Sequence, residues 1–132
     1  MSENSKCNCG SNDVALIYTC SGAANTGYLA DAVSRKLMKD CAGKMTCLAA
    51  MGAGLSGFIE SAKCAEKNIV IDGCPVACGK KIFDKLGLDY LYFITTDEGV
   101  EKNKTEITQE VIDRVSGAIK VKFESETDSR KK

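Results

Sequence analysis

The stretch IVIDGCPVACGKK, residues 69–81, decides how the chain folds. Ile69, Val70 and Ile71 are consecutive β-branched residues, which suit a buried, pleated strand. Asp72 and Gly73 break the run as a turn, and Pro75 carries the fixed φ with which helices often open. A strand passing through a tight turn into a helix is the first half of a crossover, the connection that joins parallel strands. The helix is expected over residues 76–85. It should end at Gly87, because glycine accepts the left-handed conformation of a helix terminus.

Working outward from this stretch, the same pattern recurs. Residues 14–19 (VALIYT) form a nearly continuous apolar run of strand length, followed by the small-residue loop SGAANTG at 21–27. Leu29, Val33 and Leu37 then repeat at helical spacing, leaving Arg35, Lys36 and Lys39 for solvent. A weaker unit follows, with a strand expected at residues 45–50 (MTCLAA), a loop at 51–57 and a short helix at 58–66. Residues 90–95 (YLYFIT) read as a fourth buried strand. Residues 109–121 read as a closing helix with Val111, Val115 and Ile119 on one stripe.

This alternation predicts a single three-layer α/β domain. A mainly parallel four-stranded sheet, in the order 2-1-3-4, is covered by helices on both faces, because each crossover is right-handed and must pack back on the sheet. That order places a switch point between strands 1 and 3, where a crevice opens at the carboxyl edge. The domain is expected over residues 13–122. A polar, flexible segment at 1–12 carrying Cys7 and Cys9 precedes it, and a disordered charged tail at 123–132 follows.

Composition narrows the function. At 132 residues, the chain can bury a core without staples. Lys plus Arg equals Asp plus Glu at 18 each, so the strong positive field of a nucleic-acid binder is lacking. No apolar run approaches the roughly 18 residues of a membrane span. The opening MSENSKCNCG has no secretory pattern, so the expected compartment is the cytoplasm, where thiols stay reduced. Eight cysteines in 132 residues fall below the roughly 8–10% of a disulfide scaffold but well above ordinary use.

Four of these cysteines sit where strands should end: Cys20, Cys47, and the pair Cys74 and Cys78. The carboxyl ends of parallel strands share one edge, so these distant thiols can meet at a single point. The chain has no histidine, which means that a zinc or iron–sulfur site must be built from thiolate. With a helix opening at Pro75, Cys74 and Cys78 would share a face at i, i+4, and unpaired amides of that first turn would favour thiolate. Lys80 and Lys81 would offset the charge of a thiolate-bound metal. Asp72 would either orient a ligand or cap a turn.

Residues 72–81 (DGCPVACGKK) resemble the central motif of the DGC domain family, small bacterial and archaeal proteins described as zinc-binding. The segments YTCSGAANTG (18–27), KMTCL (44–48) and SGFIESA (56–62) are similar to that family as well, so the resemblance spans roughly residues 14–100. It implies Cys20, Cys47, Cys74 and Cys78 as zinc ligands, the four that strand position selects. It implies no settled activity.

The remaining candidates are less specific. Cys7 and Cys9 form a C-x-C that suits an auxiliary metal clip, while Cys41 and Cys64 read as apolar filler or incidental placements. In the 21–27 loop, Ser21, Gly22, Asn25, Thr26 and Gly27 could bring amides to an anion at a helix start. The loop lacks the P-loop lysine, the dinucleotide spacing and the arginine of a phosphatase loop, and reads equally as a plain connection. The expected function is a small cytoplasmic protein holding one zinc ion at the sheet's carboxyl edge, for a structural, sensory or metal-handling role. A closed thiolate shell argues against hydrolysis. The alternatives are an iron–sulfur protein, a thiol-redox or sulfur-transfer enzyme using Cys74 or Cys20, and an interaction module. Against the enzyme stand the missing C-x-x-C and histidine base. The metal ion is the partner expected, with no nucleic acid and no membrane.

Overall fold

The computed structural model of the protein describes residues 15–125, so Cys7 and Cys9 lie outside the described residues. Four strands, β1 (Ala15–Thr19), β2 (Lys44–Met45), β3 (Lys67–Asp72) and β4 (Leu91–Ile94), form one sheet that is parallel throughout. Their order is 2-1-3-4, as the alternation of patterns requires. The five helices are α1 (Asn25–Lys39), α2 (Leu48–Gly52), α3 (Ser56–Cys64), α4 (Cys78–Leu86) and α5 (Gln109–Ser125). A 3-10 turn at Thr95–Glu98 follows β4.

The period-2 alternation of strand side chains sorts the core into two layers. Ile17, Ile69, Ile71, Leu91 and Phe93 point to one face. There they pack with Leu29, Val33 and Leu37 of α1 and with Ile112, Val115, Ile119 and Phe123 of α5. Tyr18 and Val70 point to the other face, against Leu48 and Met51 of α2, Ala62 of α3 and Phe83 of α4. Each fully buried large apolar side chain is worth about 1.5–3 kcal/mol of transfer free energy, so both layers matter. Buried polar atoms in the second layer find partners: the Tyr18 hydroxyl donates to Asn68 Oδ1 at 3.0 Å, and Asn68 Nδ2 donates to the Ala62 carbonyl at 2.9 Å.

Connections follow from the right-handed rule. The β1-to-β2 crossover carries α1 on one face. The return to β3 runs the opposite way and therefore carries α2 and α3 on the other. The chain diverges between β1 and β3, which puts the switch point beside the end of β1 at Cys20.

Several local expectations are corrected. The strand expected at residues 45–50 is only Lys44–Met45, and residues 48–52 (LAAMG) are helical, in keeping with the helix preference of Leu, Ala and Met. Cys47 is therefore the residue preceding α2, not a strand residue. α3 begins at Ser56, two residues earlier than expected, and ends at Cys64. α4 begins at Cys78 and not at residue 76, with Ala77 before it in the left-handed region at φ +57°. Gly87 closes α4 at φ +69°, as its position predicts. α5 continues through Phe123 to Ser125, residues expected in the tail, because Phe123 buries its ring at 6.5 Å from that of Phe93.

Two substitutions in α5 test this packing. Phe123→Ala should destabilise the domain by about 3 kcal/mol through a cavity under the last turn. A Cβ added at Gly117 meets nothing within 4 Å, so Gly117→Ala should stabilise it by about 0.5–1 kcal/mol. Urea denaturation of both variants, read by far-ultraviolet circular dichroism, checks the two signs.

Candidate functional site

The site grows from the end of β3. Asp72 is 1% exposed, and its carboxylate accepts three hydrogen bonds. The Gly79 N–H donates to Oδ1 at 2.9 Å, and the Lys80 N–H and the Tyr92 hydroxyl donate to Oδ2 at 3.1 and 2.9 Å. Two of these donors are orphan amides of the first turn of α4, so the carboxylate caps that helix and sits favourably against its positive end. Of the two roles open to Asp72, the geometry gives it the cap. Gly79 must be small, because a Cβ there would lie 2.8 Å from Asp72 Oδ1 and 2.7 Å from Val70 Cγ1.

Gly73 is held from every side. Its N–H donates to Cys20 Sγ at 3.2 Å, and its carbonyl accepts the Thr95 hydroxyl at 2.8 Å. A Cβ on Gly73 would come within 2.5 Å of the Thr26 carbonyl oxygen and 2.8 Å of the Gly27 nitrogen. Only glycine lets the end of β3 lie this close to the start of α1. The Asp-Gly pair therefore joins β3 to α4, to α1 and to the Cys20 sulfur.

Cys20 extends the β1 ladder, its N–H donating to the Ile71 carbonyl at 3.4 Å. It is half-buried, and burial is the main cause of a thiol pKa above its ordinary value. The Gly73 N–H opposes that rise, whereas the charges of Asp72, Cys78 and Cys74 add to it. Cys74 and Cys78 thus lie near Cys20 at one edge.

Cys74 lies in the turn before α4, where the Ala77 N–H donates to the Cys74 carbonyl at 3.0 Å, and Cys78 is the first residue of the helix. The two do not share a helix face as expected, because the Asp72 cap delays the helix to residue 78. Cys74 is half-buried, while Cys78, Cys47 and Cys64 are exposed. Exposure leaves Cys64 with the incidental placement, of the two readings expected for it. Cys41, also expected as filler, is disulfide-bonded. Among the described residues no group of three or more His, Cys, Asp or Glu side chains is placed so as to hold a metal ion. Cys20, Cys74 and Cys78 lie near one another at the carboxyl edge without forming a shell.

The loop read as a possible anion site is largely occupied by structure. α1 starts at Asn25. The Asn25 side chain donates to the Glu101 and Thr105 carbonyls and accepts the Asn103 N–H. Gly27 lies against the backbone of Ser21 and Gly22, and Thr26 is 1% exposed with its hydroxyl unpaired. Lys80 directs its ammonium to Asp84 at 2.9 Å.

Three site residues had no sequence signal that singled them out. Tyr92 reaches Asp72 from the neighbouring strand, Thr95 holds Gly73, and Lys102 donates from Nζ to Cys74 Sγ at 3.4 Å. Only the Tyr92 contact was discoverable, since it faces the same side of the sheet as Val70, its register partner.

Fold and site together define an α/β protein with a thiol-lined carboxyl edge. The DGC domain model matches residues 16–119, and the chain belongs to that family. It is also 31% identical over 65 residues to the anaerobic and virulence modulator AnvM of Pseudomonas aeruginosa. That match covers 49% of this chain and 50% of AnvM, so the chain spans about half the length of that relative. No solved structure matches the chain. No described helix is long and apolar enough to cross a membrane.

Two outcomes test the site's construction. Gly73→Ala should cost about 1–3 kcal/mol, because the clash is with backbone and cannot be relieved by a rotamer change. The second is alkaline. Burial, with Asp72 beside Tyr92, raises the phenol pKa of Tyr18 and Tyr92 well above the usual value, and Cys20 is raised as well. Groups raised in the folded state contribute stability that is whole below their unfolded pKa and lost as pH climbs through the folded one. Urea midpoints should therefore begin to fall near pH 9, where an unfolded thiol ionises, and fall faster above about pH 10. Tyr92→Phe should be less stable at pH 8 by about 1.5–3 kcal/mol yet show a shallower alkaline loss.

Proposed function

We propose that the protein binds a single zinc ion on thiolates at the carboxyl edge of its sheet, with Cys20 as the fixed ligand and Cys74, Cys78 and Cys47 completing the set. The observation that carries this reading is the position of Cys20. Its sulfur lies at the switch point, accepts the Gly73 N–H at 3.2 Å, and is acted on by the charges of Cys74 and Cys78. The amide directed at sulfur offsets part of the burial that raises this thiol, and so favours the thiolate that metals require. Cysteine is the only strong soft donor available, since the chain has no histidine. Membership in the DGC domain family supports the same four residues.

The thiols are not in coordinating positions, so binding needs Cys74, Cys78 and Cys47 drawn toward Cys20. Cys20 sits at the end of a central strand, whereas Cys74 sits in a turn and Cys47 at an exposed helix start. The second group is the part that moves. A complete thiolate shell leaves no open position for metal-bound water, which favours a structural, sensory or metal-handling role over hydrolysis. The sensory role agrees best with AnvM being named a modulator, and a cytoplasmic setting would keep the free thiols Cys20, Cys47, Cys74 and Cys78 reduced, Cys41 being disulfide-bonded.

Protein purified without oxygen tests this directly. Metal analysis should find one zinc ion per chain in colourless protein. Cys20→Ser and Cys74→Ser should lose most of it, and Cys64→Ser should keep it. A brown protein would replace zinc with an iron–sulfur cluster. A folded, metal-free chain that takes no zinc on titration would end the metal reading in favour of thiol chemistry.

A further inference from the structure

Lys102 lies 28 residues beyond Cys74, yet its Nζ donates to the Cys74 sulfur at 3.4 Å. The segment that carries it is fastened. Asn25 Nδ2 donates to the carbonyls of Glu101 and Thr105 at 3.1 and 2.8 Å, and its Oδ1 accepts the Asn103 N–H at 2.7 Å. Within the segment, the Glu101 N–H donates to Thr105 Oγ1 at 2.8 Å. Lys102 thus reaches the thiol from a backbone tied to the first residue of α1.

Several nearby charges have partners of their own. The Asp72 carboxylate has three donors, Lys80 meets Asp84, and Lys122 meets Glu98. Lys102 makes no ion pair with a carboxylate among the described residues. A lysine whose ammonium is spent on a sulfur rather than a carboxylate marks the place where negative charge is to be met.

We propose that Lys102 is a specificity residue of the thiol site: it supplies the positive charge that admits a small, thiol-seeking anion to the Cys74 sulfur in preference to a neutral molecule of the same shape. The inference rests on reading Cys74 as a working thiol of the site, but it does not require the metal. Asn25 is the positioning residue that holds Lys102 in place.

Competition between two alkylating reagents tests it. Iodoacetate and iodoacetamide attack the same thiolate, so their rate ratio at Cys74 cancels the fraction ionised and reports the local field. The reduced full-length chain, stripped of metal by a chelator, is reacted with each reagent, and modification of Cys74 is followed by peptide mass mapping. Lys102→Met should lower the iodoacetate-to-iodoacetamide ratio about fivefold, the Coulomb effect of one charge about 4 Å away in water. Lys102→Arg should preserve the ratio, and Asn25→Ala should lower it with Lys102 still present. An unchanged ratio in Lys102→Met, a fall in Lys102→Arg equal to that in Lys102→Met, or a Cys74 inert to both reagents would each overturn the proposal. If the ratio fails while zinc is still bound, only this inference falls. If the ratio holds in a chain that takes no zinc, only the metal reading falls.

Discussion

The buried carboxylate of Asp72 is the constraint on which the rest of the site depends. A charge at 1% exposure costs several kcal/mol unless it is met by donors, and here two helix amides and a phenol meet it. Each such charge-assisted bond contributes about 1.5–3 kcal/mol. Because two donors are the Gly79 and Lys80 amides, α4 can begin only where those amides face β3. This fixes Cys78 at the helix start and leaves Cys74 in the preceding turn. Tyr92, the third donor, ties β4 to the same point. One side chain therefore determines the start of α4 and the placement of two thiols.

Gly73 adds a second constraint of a steric kind. Its Cα passes so close to the Thr26 carbonyl that no side chain fits, and this brings the end of β3 and the start of α1 together beneath the switch point. Elsewhere in an open parallel sheet a crevice lies between the oppositely directed crossovers. In this chain the backbone closes its floor, and Cys20 Sγ accepts the Gly73 amide at that position. The DGC triplet thus divides its work, with Asp72 capping, Gly73 permitting contact, and Cys74 placed in the turn beside Lys102.

How much of this could be read beforehand depended on whether the determining interaction was local. The strand order was legible because 69–71 and 14–19 are β-branched or apolar runs, and because Leu29, Val33 and Leu37 give α1 an unambiguous period. The 45–50 segment failed for a physical reason: Met, Leu and Ala fill a short apolar run equally well as strand or helix, and β2 makes only two register pairs with β1. The start of α4 was misread because its cap comes from the end of the preceding strand, seven residues before Gly79, and Pro75 suggested a nearer start. Phe123 was assigned to the tail because its neighbours are charged, although its ring closes the α5 layer. Lys102 was invisible, since nothing local distinguishes a lysine aimed at sulfur from one in solvent.

The described thiol edge divides into a fixed part and an adjustable one, and this division shapes what the site can do. Cys20 is locked by its own ladder bond to Ile71 and by Gly73. Cys74 follows Gly73 in a turn whose last residue, Ala77, is non-glycine in the left-handed region, a conformation that costs roughly 1–2 kcal/mol. A turn holding such strain has less to lose by rearranging than the strand end has. A ligand that engages Cys20 alone would meet a thiol whose pKa burial raises, whereas one that also draws in Cys74 gains a second sulfur and the Lys102 charge beside it. On the proposed reading, binding at this edge would be coupled to the conformation of residues 74–78, which a sensor needs and a purely structural site does not.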